Sequence, residues 1–414
     1  MTATAARRVV TQERAQPRRE ENPALSFYLI AASSALLVAF GAVMRLSAST
    51  VTAISDTGSP YQEWVGQLLF VVVGVVGAVV AAILPPGFYR RAAWVLLAGG
   101  LALQSLIFTG FARGQGGNLN WIVVPGTGQV IQPAEFLKLA LAIWLGAVLA
   151  RKVRVMDNLL HAAIPGVLGS VAAIALVLAG HDMGTAAIMV VLVAGAYFVA
   201  GLRLRWFAVV GVVGAGLAAF LIMSSDSRRQ RVAQFFGLTE SDPLGAGLQP
   251  LHGLWALGSG GISGVGLGAS REKWEYLPEA HNDFIFAIIG EELGLIGTLV
   301  VLALFAVLAA GIYRVVRRHH DPFVQIAAAG LGAWIFGQAI VNMLVVIGLL
   351  PVLGVPLPLV SAGGSALIAT LLGVGVLLSF ARTEPGAREA LRVRSRSARR
   401  TGSVTAPRRR SGRG

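Results

Sequence analysis

The 414-residue chain contains no cysteine, which excludes disulfides, thiolate metal sites and cysteine nucleophiles and says little about compartment. Charge is scarce too. Only 13% of residues are Asp, Glu, Lys or Arg, 55% are hydrophobic, and mean hydropathy is +0.72. Soluble domains carry about 25% charged residues, so that class is excluded. Long apolar runs take the place of charge. Runs near the ~17–25 residues that cross a hydrocarbon core occupy 25–46, 64–84, 92–110, 134–150, 159–178, 184–200, 206–223, 284–313, 323–350 and 366–380. The last is short and the seventh can be re-divided, so the range is nine to eleven. These runs predict an all-α polytopic membrane protein of about ten transmembrane helices. The first run follows a basic tail, as in a signal peptide, but its length of about 22 residues reads as a retained span.

A net charge of +14 invites a nucleic-acid reading, and its distribution argues against one. The N-terminal tail, Arg90–Arg91, Arg151–Arg154, Arg203–Arg205, Arg314–Arg318 and the residues from Arg382 onward hold 26 of the 34 basic residues. With ten spans these segments all fall on one side, which the positive-inside rule assigns to the cytoplasm. Both termini are then cytoplasmic, and the long segment 224–282, between helices 7 and 8, is extracytoplasmic. The organisation expected is a basic tail (1–24), a transmembrane domain (25–382) and a second basic tail (383–414). The tails' composition predicts disorder. Their roles would be attraction to the membrane surface and fixing topology, or binding a cytoplasmic division or regulatory protein.

Four outer connections carry polar residues. In the first, 111–133, Gly116–Gly117 precede Asn118-Leu-Asn-Trp-Ile, and Gln132-Pro133 opens the next helix. Glu135 and Lys138 stand at i,i+3 and share a face. Two readings are open for them: an ion pair within the helix, or a Lys138 that faces a cavity and binds an anionic substrate group. In the second connection Asp182 is placed to cap the following helix. The third contains Gly258-Ser-Gly-Gly261 with Gly264, Gly266 and Gly268. It suits close backbone approach or a re-entrant segment and lacks the Lys-Ser/Thr of a phosphate loop. The fourth runs from Pro351 to Ser365 through Pro356, Pro358, Ser361 and Gly363–Gly364; such backbone at membrane depth requires surrounding protein or a water-filled cavity.

The most informative stretch is Glu275-Tyr-Leu-Pro-Glu-Ala-His-Asn-Asp-Phe-Ile-Phe286, ahead of an apolar run that itself contains Glu291 and Glu292. Acids beside or inside membrane helices are functional candidates. At 100° per residue, Ala287, Gly290, Gly294 and Gly297 fall on the Asp283 face. That stripe reads as close helix packing or as a groove for a lipid chain. Glu292 lies on the opposite face, and both glutamates are expected to pair within the bundle.

The segment from Glu275 to Gly294 closely resembles the signature of the SEDS (shape, elongation, division and sporulation) family. Leu46-Ser-Ala-Ser49, Gln132-Pro-Ala-Glu135 with Lys138, Asp182-Met-Gly-Thr185, Gly258-Ser-Gly-Gly261 with Gly264 to Ser270, and Gly348 through Ser361 to Ser365 match in order. Glu-Ala-His and Ile-Gly-Glu-Glu-Leu-Gly are more like the division branch than the elongation branch. Departures include Leu119–Asn120 for a usual Arg pair, His252–Gly253 for Gln-Ser, Ala362 for Tyr, and Arg45 for an apolar residue.

The resemblance implies a peptidoglycan glycosyltransferase that polymerises lipid II on the outer face of the cytoplasmic membrane. Its implied partners are a class B penicillin-binding transpeptidase and other divisome proteins. It singles out Asp283 as catalytic base and Glu275 as a further functional position. Lys138, Glu135 and Ser361 are the other candidate substrate-binding positions. Sugar transfer from a lipid diphosphate needs a base and positive charge for the leaving group. Lys138, loop arginines Arg228, Arg229 or Arg231, or a divalent cation are candidates for that charge; no other cofactor is implied. A place at a helix N-terminus would favour ionised Asp283. Competing readings are an elongation polymerase, a lipid II flippase, and a scaffold that positions the transpeptidase.

Overall fold

A computed structural model describes residues 22–57, 62–115, 118–126, 128–156, 164–238, 247–274 and 276–392. Helices lie over the apolar runs: α1 (Leu25–Thr57), α2 (Gln62–Ile83), α3 (Pro86–Ser105), α4 (Pro133–Leu149), α5 (Gly166–Ala179), α6 (Met183–Val199) and α7 (Leu204–Met223). The long segment adds α8 (Asp226–Phe235) and α9 (Leu248–Gly260), and α10 (Ile285–Arg318), α11 (Pro322–Val346) and α12 (Gly364–Ala381) complete the bundle. Among the described residues seven helices, α1, α2, α3, α7, α10, α11 and α12, are long and apolar enough to cross a membrane, and α5 and α6 are shorter apolar helices. The chain is therefore a multi-pass helical protein.

Two boundaries differ from the sequence expectation for local reasons. Helix α3 begins at Pro86, ahead of Arg90 and Arg91 that interrupt the apolar run, because proline at the first helical positions gives up no needed N–H. The connection after it is not a plain loop. It forms a small antiparallel sheet, β1 (Ala112–Gln115), β2 (Asn118–Val123) and β3 (Val130–Ile131), with an irregularity between Arg113 and Gly114. The Leu119 N–H donates to the Gly180 carbonyl at 2.9 Å, tying the sheet to the α5–α6 turn.

Helices α4, α11 and α12 form the centre. α11 packs on α4 and α6, α12 on α2, and α1 on α10. Trp144, Trp334, Phe323 and Phe380 are fully buried there. In contrast, α7 has no buried residue, as a helix facing hydrocarbon can have.

The two ends of the bundle differ in chemistry. At one end, Arg90 pairs with Asp321, and Arg318 lies 3.7 Å from buried Glu384, which accepts from Ser26 Oγ at 3.1 Å. We call this the tail end. The other, the loop end, gathers the sheet, the α5–α6 turn, the 248–284 segment and the 351–363 connection.

The loop end is organised by a break in α10. Gly294 has φ 66° and ψ −161°, so the helix is interrupted after one short section. The 261–266 segment fills the gap. Val265 and Gly266 N–H donate to the carbonyls of Glu291 and Glu292 at 2.9 and 3.0 Å, while Leu295 and Ile296 N–H donate to Gly261 and Ile262 at 2.9 and 3.2 Å. Buried backbone groups must be paired, and here the glycine-rich loop supplies the partners. Gly264, at φ 81°, abuts the Glu292 carbonyl so closely that a Cβ would clash; only glycine fits.

Candidate functional site

Asp283 precedes α10 rather than lying within it. The helix begins at Ile285, its N-cap is Phe284, and no side chain caps it. The wheel drawn from Asp283 through Gly297 therefore fails at both the start and Gly294, because each requires one unbroken helix. The stripe packs against protein: the Gly290 carbonyl is in close contact with Gly260, and the Leu257 side chain covers Gly290. Close helix packing is what these glycines serve, and a lipid groove along that face is not formed.

The turn carrying Asp283 is held from several sides. Asn342 Nδ2 donates to the Asp283 carbonyl at 2.7 Å and to Val355 at 2.8 Å. Ser361 Oγ donates to the Asn282 carbonyl and accepts from Leu357 N–H, each at 2.7 Å. Ala362 N–H donates to the His281 carbonyl at 3.2 Å. Ser361 thus acts as a clasp between two loops and is itself buried. Buried Arg45 reaches the same place, with Nη1 3.4 Å from the Ser361 carbonyl and Nε 3.0 Å from that of Gly41.

The Asp283 side chain stands apart from this web. It is half-buried; Oδ1 is shut off from solvent and has no hydrogen-bond partner among the described residues. Gly354 approaches Oδ2. Desolvation, then the charges of Glu279 and Asp182, push its pKa up to about 7. This corrects the expectation that the helix N-terminus keeps it ionised. It makes no capping bond, and burial beside two other acids favours the neutral form.

Two cavities are lined by its neighbours Asn282 and Gly354, and by neither of its own carboxylate oxygens. One, of about 570 Å3, is lined by Arg113, Trp121, Glu279, His281, Asn282 and Gly363 among others. The second, of about 470 Å3, is lined by Asn120, Asp182, Arg228, Arg231, Leu353 and Gly354 among others. The three non-glycine residues with positive φ among the described residues are His181 (64°), Glu279 (57°) and Leu359 (65°). All lie in the loops around Asp283. Such conformations cost on the order of 1–3 kcal/mol each and persist where surrounding structure enforces them.

Asp182 caps α6, as its position in the turn predicts. Oδ1 accepts from Thr185 N–H at 2.9 Å, and Oδ2 accepts from Thr185 Oγ1 at 2.8 Å and Gln132 Nε2 at 3.0 Å. Lys138 and Glu135 form the intrahelical pair. Nζ lies 2.7 Å from Glu135 and 2.8 Å from Gln338 Oε1, above the Trp334 ring, and both side chains are 1% exposed. Lys138 is therefore spent within the bundle and lines neither of the two cavities. Its carboxylate and amide partners hold its charge where an anionic substrate group was expected. Of the loop arginines, Arg228 donates to the Leu221 and His181 carbonyls at 3.2 and 3.3 Å and Arg231 lines the same cavity. Arg229 is exposed and paired with Asp226 at 2.6 Å. Glu275 lies outside the described residues.

Glu291 and Glu292 are buried and paired. Glu292 accepts from Ser47 Oγ at 2.7 Å and faces Lys273 Nζ at 3.2 Å. Glu291 accepts from Ser270 Oγ and from Arg271 N–H, the latter at 2.9 Å. Arg113 was not singled out by sequence. A lone arginine on a connection outside the basic side was the available signal. Among the described residues no group of three or more His, Asp or Glu is arranged to hold a metal ion.

The fold and site define a multi-pass membrane protein with a polar loop-end site centred on one unpaired carboxylate. The chain belongs to the FtsW/RodA/SpoVE family of cell cycle proteins, whose model matches residues 27–385. It is 41% identical over 372 residues to the probable peptidoglycan glycosyltransferase FtsW of Mycobacterium tuberculosis, covering 90% of this chain and 70% of that protein. It is 35% identical over 350 residues to the stage V sporulation protein E of Bacillus subtilis, covering 84% of this chain and 94% of that one. Among solved structures it resembles one described as "Structural coordination of polymerization and crosslinking by a peptidoglycan synthase complex", with a TM-score of 0.68 and 25% identity over 87% of this chain and 97% of that one. It also resembles the rod shape determining protein RodA of Thermus thermophilus, with a TM-score of 0.63 and 26% identity over 86% and 97% of the two chains.

Proposed function

We propose that the chain is a peptidoglycan glycosyltransferase that polymerises lipid II, as the division branch of the family does, with Asp283 as its base. The observation that carries this is the Asp283 carboxylate, whose Oδ1 is buried and unpartnered, with its neighbours Asn282 and Gly354 lining two polar cavities. Family membership and the names of its relatives support the reaction class. A reaction joining two lipid-linked sugars needs two binding places that meet at one proton acceptor, and the two cavities suit that need.

In the step we envisage, a hydroxyl oxygen of the acceptor sugar attacks the donor's anomeric carbon. Its proton passes to Asp283, and the bond from that carbon to the diphosphate breaks. A pKa of about 7 keeps a large fraction of the carboxylate ionised at neutral pH while leaving it basic enough to accept a proton. Arg228 and Arg231 supply positive charge for the donor's departing diphosphate in one cavity, and Arg113 in the other meets the diphosphate that the acceptor retains. A divalent cation meeting the diphosphate belongs to the same reading, and no step is routed through it. Glu135, Lys138 and Ser361 act by placing the loops. Glu275 acts in loop placement or activation by the partner. The remainder of the reading is a ten-span topology in the cytoplasmic membrane, both termini cytoplasmic, the loop end outside, and a class B transpeptidase partner alongside other divisome proteins.

The test is lipid II polymerisation by the purified chain with its transpeptidase partner in detergent. Glycan chains resolved on a gel are expected. Absence of polymer together with transfer of labelled lipid II across vesicles would support the flippase instead.

A further inference from the structure

A second pair of cavities lies toward the tail end, away from Asp283. A lateral groove of about 610 Å3 runs between α1, α2 and α12, with Phe27, Val38, Val75, Val79, Leu371 and Leu378 among its lining residues. It exists because alanines face it, at Ala31, Ala35, Ala39 and Ala42 on α1 and at Ala78 and Ala82 on α2. From Phe27 to Ala42 it follows α1 for about 22 Å at 1.5 Å per residue, more than the roughly 15 Å of one hydrocarbon leaflet. The groove is deep enough for a whole acyl chain.

At its tail end the groove meets a polar cavity of about 380 Å3 lined by Ser379, Arg382, Thr383, Arg388 and Arg392, among others. Ala82, Ile83 and Arg382 line both, so the two are continuous. Arg382 Nη1 donates to the Ala82 carbonyl at 2.6 Å, which fixes its guanidinium at the junction. Among the described residues no Asp or Glu lines either cavity. The arginine end is separate from the loop-end cavities: the length of α12, about 27 Å, lies between Arg382 and the Gly363–Gly364 pair beside Asn282, while the groove's far end stops at Ala42 and Val71.

An apolar slot the depth of a leaflet that ends at three guanidinium groups is complementary to a hydrocarbon tail bearing an anionic headgroup. We propose that this site binds an anionic membrane phospholipid, with one acyl chain in the α1–α2–α12 groove and its phosphate at Arg382, Arg388 and Arg392. Arginine recognises phosphate through its planar set of donors, and basic side chains near a membrane surface attract anionic lipid. The groove supplies what a free anion would not use, and the arginines supply what a zwitterionic lipid would not use. The proposal needs only that the chain spans a membrane and is independent of the catalytic reading.

The test is native mass spectrometry of the full chain purified in neutral detergent and titrated with phosphatidylglycerol or phosphatidylcholine of matched chains. The wild type should retain phosphatidylglycerol at least about tenfold better. Arg388→Gln with Arg392→Gln should bring the two lipids within about twofold, since the basic attraction is then largely lost. Ala35→Trp, at an exposed groove position, should reduce binding of both lipids and leave the arginines intact. Equal retention of the two lipids by wild type overturns the proposal, as does a preference that survives the double arginine change. Full displacement by excess inorganic phosphate, or unchanged lipid binding by Ala35→Trp, overturns the groove's part in it.

Discussion

Glu292, itself fully buried, accepts from Ser47 and faces Lys273, whereas Asp283, earlier in the same motif, leaves Oδ1 buried and without a partner. A buried charge costs several kcal/mol unless it is paired. The fold meets that cost for Glu292 by bringing a lysine and a hydroxyl to it from 19 and 245 residues away. It does not do so for Asp283, whose nearby charges are themselves acidic. Two carboxylates in one motif are therefore set to different tasks: Glu292 fastens the glycine-rich loop to the break in α10, and Asp283 is left available to a substrate.

That contrast can be broken or sharpened by substitution. Asp283→Asn should lower the lipid II polymerisation rate by about 10²–10⁴-fold, the usual range for loss of a general base. Its effect on stability should have the opposite sign. The raised pKa means the folded state holds a proton that the unfolded chain releases at about pH 4. Wild type therefore loses stability as pH rises from about 4 to about 7, and the Asn variant does not. Asp283→Asn should then unfold at a higher temperature than wild type at pH 8, with the gap shrinking toward pH 4. Lys273→Met should act in the other direction and destabilise the fold. It leaves Glu292 charged and buried, and chemical unfolding in detergent should show a loss of about 3–5 kcal/mol; a loss below about 1 kcal/mol would deny Glu292 its structural role. A smaller effect is expected at the second cavity. Arg228→Gln with Arg231→Gln should reduce kcat/KM about tenfold, in line with loss of charge stabilisation at a leaving group, while Arg229→Gln should change little.

What sequence could reveal follows the range of the interactions involved. The helices were legible because span length and apolar content are local properties. The Glu135–Lys138 pair and the Asp182 cap were legible too, since each partner stands three residues away. The sheet at 112–131 was hidden by its glycines, which read as loop. The break in α10 was hidden because Gly294 sits in a continuous apolar run, and only the 261–266 segment's hydrogen bonds sustain it. Asp283 was legible as a candidate from its motif. Its raised pKa was not, because it depends on burial and on Asp182, 101 positions away in the chain. The helix-terminus argument predicted the opposite direction for the same reason.

The most direct test of the central claim is the pH dependence of kcat/KM for lipid II polymerisation by the wild-type protein with its partner. If half-buried Asp283 is the base, activity should rise with pH as the carboxylate ionises and level off above an apparent pKa near 7. A profile already level down to about pH 5, as an ordinary solvated carboxylate of pKa about 4 would give, would contradict it.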